Sequence, residues 1–82
     1  MLRVGMDKPS LLSSLAEVRH KAVQANLDVV SQTHRVGSLQ SKGLDATGAN
    51  IMLRGFVNAE QKLLKEMEWL MDQLDELEAK AT

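Results

Sequence analysis

His20 and His34 are the side chains with the widest catalytic repertoire in this chain of 82 residues. An imidazole can carry a phosphoryl group, shuttle a proton near neutral pH or ligate a metal. Phosphotransfer asks for an exposed histidine on a four-helix bundle, and His34-Arg35-Val36-Gly37 sets a cation and a small residue beside one. The order usual in such domains, a Lys and then a Gly soon after the histidine, is absent. Metal chemistry lacks a basis too. The pairs His20/His34 and Glu66/Asp72 are not spaced i, i+3 or i, i+4, so neither brings two ligands to one point on a helix, and no Glu-x-x-His occurs. Both histidines read as solvated surface groups. The expectation is a non-enzyme with no catalytic, cofactor or metal site.

What could position any such group is a pair of helices joined at Leu39–Gly48. Gly43 suits the left-handed residue that stops a helix, with Leu39 and Leu44 at the two positions whose apolar contact accompanies a Schellman end. Asp45 suits an N-cap that accepts from the backbone of Thr47 or Gly48. One helix therefore stops and another starts within three residues, as in an αα-hairpin. Upstream, Pro9 and Ser10 supply a helix start, and Ser14 with Glu17 forms a rival capping box.

Both arms carry an apolar seam. In the first it is Leu11, Leu15, Val18, Ala22, Ala25, Val29, Gln32, Val36, Leu39 and Gly43, spaced alternately by four and three. That alternation is the mark of left-handed coiled-coil packing. The second arm repeats it with Leu53, Phe56, Glu60, Leu63, Met67, Leu70, Leu74, Leu77 and Ala81, and its first turns add Ala49 and Met52. Gln32 and Glu60 are the polar intruders. Gln32 reads as a register-setting or solvent-reaching residue, and Glu60 as one that reaches past the seam, pairs with a base or marks an irregularity. The fold class is all-α, an antiparallel two-helix hairpin. It forms a single domain, 1–82, with helix 10–42, turn 43–45, helix 46–79, and frayed ends at 1–8 and 80–82.

Composition narrows the rest. No cysteine is present to form a disulfide or thiolate site, and one Phe, one Trp and no Tyr leave the core to aliphatic side chains. Residues 1–43 carry six basic side chains against three acidic, and residues 44–82 four against eight, so the arms are +3 and −4. A net charge of −1 exerts little pull on nucleic acid or anionic lipid. No apolar run approaches the roughly 20 residues of a membrane span, so a soluble cytoplasmic protein is expected.

A second stripe lies off the seam. It comprises Leu12, Ala16, Val23, Leu27 and Val30 on the first arm and Val57, Leu64 and Met71 on the second. Two helices cannot bury two stripes each, so this face implies a partner. A second copy is the simplest, giving a homodimeric four-helix bundle. A foreign protein helix, held as a small chaperone or regulatory partner would hold it, is the alternative. A Rop-like RNA-binding hairpin is a third reading. Arg19, Lys21, Arg35 and Lys42 form no cluster and have no aromatic neighbours for stacking, so nucleic acid is not expected.

The segment from Gly43 to Phe56 resembles a pattern in small uncharacterised proteins of alphaproteobacteria. There a first helix leads to a Gly-x-Asp-x-Thr-x-x-Ala-like turn, and Leu and Phe open a second helix. The resemblance spans roughly residues 15–77 and implies a helical hairpin without implying an activity. This chain departs from the pattern at Glu66-Met-Glu-Trp-Leu-Met-Asp72, where a His and an Arg-Asp would stand.

Overall fold

The protein was analysed as a computed structural model that describes residues 7–81. Two long helices, α1 (Lys8–Ser41) and α2 (Thr47–Ala81), lie against each other over their length as an antiparallel hairpin. The hairpin is 60 Å long, 22 Å wide and 16 Å deep.

Helix α1 starts two residues before the expected position 10. Asp7 is its N-cap, accepting from the Ser10 N–H through Oδ1 at 2.9 Å, while the Asp7 carbonyl accepts from the Leu11 N–H. Pro9 falls in the first turn, where its missing N–H costs nothing. Lys8 and Lys80 are therefore helical rather than frayed, and α2 runs on to Ala81 instead of stopping at 79. Residues 1–6 and Thr82, also expected to fray, lie outside the described residues.

The stop of α1 is a full Schellman motif. Gly43 has φ +70°, Leu44 N–H donates to the Leu39 carbonyl at 2.9 Å, and Gly43 N–H donates to the Gln40 carbonyl at 3.0 Å. These bonds satisfy carbonyls that the helix end would otherwise leave bare. Asp45 then opens α2. Its Oδ1 accepts from the Thr47 N–H at 3.0 Å and from the Thr47 hydroxyl at 2.7 Å.

The seam holds almost as spaced. Leu11, Val18, Ala22, Ala25, Gln32 and Val36 are buried on α1, with Leu15, Val29 and Leu39 half-buried. On α2 Leu70 is buried, and Leu53, Phe56, Leu63, Met67, Leu74 and Leu77 are half-buried. Leu11, Val18 and Leu70 form a buried core cluster, with Leu15, Leu63, Met67 and Leu77 packed onto it. Two seam assignments fail: Gly43, at the turn, is exposed, and Met52 is exposed while Ala46 is buried instead. Continued back from Leu53 and Ala49, the alternation of four and three lands on Ala46, which leaves Met52 on the outer side.

Candidate interaction surface

Each polar intruder in the seam finds its partner on the opposite helix. Gln32, only 6% exposed, donates from Nε2 to the Ala49 carbonyl at 2.9 Å. Glu60 accepts through Oε2 from Asn26 Nδ2, also at 2.9 Å. Among the described residues no buried side-chain nitrogen or oxygen lacks a partner. The Glu60 partner is thus an amide and not a base. Asn26 sits one residue from Ala25, a small residue of the seam.

Those small residues also shape the surface. Ala22 and Ala25 are buried where most other seam positions carry larger side chains, and Ala22 lies in the wall of a shallow groove of about 440 Å³. Arg19, Val23, Asn26 and Leu27 line it from α1, and Glu60, Leu64 and Met67 from α2. Arg19, Asn26 and Glu60 are its polar members, with one charge of each sign.

The groove opens onto the second stripe. Leu12, Val23, Leu27, Val30, Leu64 and Met71 are each between 45% and 58% exposed. Val57, expected among them, is half-buried. Helix geometry explains the sharing of one face. Leu12, Arg19 and Asn26 follow the seam by one position on α1, and Val57, Leu64 and Met71 do so on α2, which brings both sets to the same side of an antiparallel pair. The opposite side presents Ser14, Lys21, Asp28, Arg35, Ala59, Glu66, Gln73 and Lys80 and is largely polar.

Charged groups meet across the arms at the open end, where Lys8 Nζ lies 3.4 Å from Glu78. Lys21 pairs instead within its own helix, 3.4 Å from Glu17. Both pairs are more than half exposed and contribute about 0–1 kcal/mol each. His20 and His34 are exposed on α1, about 21 Å apart along its axis at 1.5 Å per residue. Among the described residues no three His, Cys, Asp or Glu gather where a metal could be held, and no helix is long and apolar enough to cross a membrane. Ile51 and Trp69 are also exposed, outside both stripes; only a residue-by-residue placement on the helix would have found them. No protein-family model matches this chain, and no curated protein or solved structure matches it.

Proposed function

We propose that this chain is a non-enzymatic interaction module that self-associates through its apolar face, two hairpins packing as a cytoplasmic, coiled-coil-like four-helix bundle. The observation that carries this reading is the row of six exposed side chains, Leu12, Val23, Leu27, Val30, Leu64 and Met71. Burying a Val or Leu side chain contributes about 1.5–3 kcal/mol, so leaving the row wet forgoes much of the margin of a small domain. A two-fold operation removes it from water with no further sequence, since the same patch serves both copies.

Sedimentation velocity on the purified chain tests the reading, with a dimer expected at micromolar concentration. Leu27→Glu places a charge in the face of both copies and should weaken association at least about tenfold. A well-folded monomer at high micromolar concentration would refute self-association and leave the face to a foreign helix.

A further inference from the structure

We infer that Arg19 sets the selectivity of the self-association face, its guanidinium pairing with a carboxylate on α2 of the second copy. The inference rests on the self-association proposed above and names the contact that makes a copy of this chain the fitting occupant.

Arg19 stands exposed between Leu12 and Val23 of the apolar row and lines the groove. On its own helix the positions three and four residues away hold Leu15, Ala16, Ala22 and Val23, so no acid lies where a helical neighbour could reach it. Among the described residues it makes no hydrogen bond or ion pair, whereas Lys8 and Lys21 each have a carboxylate at 3.4 Å. A guanidinium carries five donors in a rigid fork and stays charged at any ordinary pH. In water those donors are satisfied. Covered by a purely apolar surface, the group would keep its charge and lose every partner, which is strongly unfavourable. An occupant of this row therefore has to bring an acid to Arg19.

The second copy brings one on α2. The carboxylates of its α1 are placed elsewhere: Asp7 caps the helix end, Glu17 is held by Lys21, and Asp28 lies on the opposite, polar side. On α2, Glu60 lines the groove itself and gives only Oε2 to Asn26. Glu68 follows Leu64 by four residues and precedes Met71 by three, so it shares their face. Among the described residues Glu68 makes no hydrogen bond or ion pair. In a two-fold contact, a residue that meets a group on the partner is met by that same group in return, so one pairing is made twice. The apolar row drives association, and the charge pair chooses between surfaces. A helix without an acid at this place leaves Arg19 unmatched, and one with a base there repels it.

Charge reversal in the whole chain tests this, with dissociation constants from sedimentation equilibrium and helix content from circular dichroism. Arg19→Glu keeps a good helix former at an exposed position, and should raise the dissociation constant at least about tenfold without loss of helix. Arg35→Glu makes the same change of charge on the opposite side and should leave association as it is. Glu60→Arg and Glu68→Arg identify the acid: one of them should weaken association as Arg19→Glu does, and restore it when combined with Arg19→Glu. Should Glu60→Arg lose helix, Glu60→Gln keeps an acceptor for Asn26 and still removes the charge. Mixing the effective acid variant with Arg19→Glu copies should also give a dimer, since each reversed charge then meets its opposite on the other copy. A folded Arg19→Glu chain that associates like wild type, or one rescued by neither acid reversal, would overturn the pairing and leave self-association standing. A monomeric wild type would overturn both.

Discussion

Gln32 on α1 donates to the Ala49 carbonyl on α2 at 2.9 Å, a buried amide bonded to backbone that already belongs to a helix. The carbonyl does not depend on it, since an internal helix carbonyl accepts from its own helix. What the bond adds is register: a slip of one residue leaves a buried amide without a partner. Gln32→Leu should therefore keep or raise the melting temperature, because apolar replacement of a buried polar group is near neutral or stabilising. Gln32→Ala should cost about 1–3 kcal/mol in urea unfolding, through the lost bond and the space left behind. A larger loss from Leu than from Ala would contradict this account.

Glu60 answers differently. It is half-buried at a seam position, and its bond to Asn26 is exposed. Glu60→Leu gains apolar burial and gives up one exposed hydrogen bond, so the expected result is stabilisation of about 1 kcal/mol in chemical denaturation. Destabilisation by Glu60→Leu with no effect of Asn26→Ala would show that the carboxylate serves something other than the amide.

Two glycines should move stability in opposite directions. Gly43 has φ +70°, so Gly43→Val should cost more than about 1 kcal/mol despite the open space around it. Gly55 lies inside α2 with nothing within 4 Å of where a Cβ would stand. Gly55→Ala should stabilise by about 0.5–1 kcal/mol, as expected for a helix interior. Thermal melts of the two variants settle both signs.

Asp45 supplies a pH test. The Thr47 hydroxyl, and after it the Thr47 N–H, hold its carboxyl below the ordinary value of 3.8. A folded-state pKa below the unfolded one means that the folded chain binds fewer protons in this range, so stability rises with pH there. The contribution is complete above the unfolded carboxylate pKa of about 3.9 and disappears as pH falls through the folded value. Asp45→Asn keeps an acceptor and cannot titrate. Below about pH 4 the melting temperature of wild type should therefore fall more steeply than that of Asp45→Asn. Parallel curves would mean that the cap does not depend on the charge.

The hairpin was legible because its signals are periodic or local. The four-and-three spacing from Leu11 to Leu39 and from Leu53 to Leu77 survives in the burial pattern, and Gly43 with Asp45 sits where the chain turns. The start of α1 was missed by two residues because Asp7 acts through one side-chain bond that leaves no period. Asn26–Glu60 was missed for a related reason: a bond between residues 34 apart on two helices leaves no mark on the spacing of either. The apolar face was visible as a second stripe, but the half-burial of Val57 depends on how closely the helices approach, which spacing does not encode.

The cluster of buried side chains formed by Leu11, Val18 and Leu70 lies far from the turn. Contacts outward from the turn close ever longer loops: 17 residues for Gln32–Ala49, 34 for Asn26–Glu60, and about twice that for Lys8–Glu78. Each doubling costs only about 0.6 kcal/mol of closure entropy, less than one buried leucine returns. The turn closes the shortest loop, while the far end holds the cluster of large buried side chains. Amide protons around Val18 and Leu70 should accordingly exchange last, while those beside the turn, including the first turns of α2, open without waiting for the whole chain to unfold.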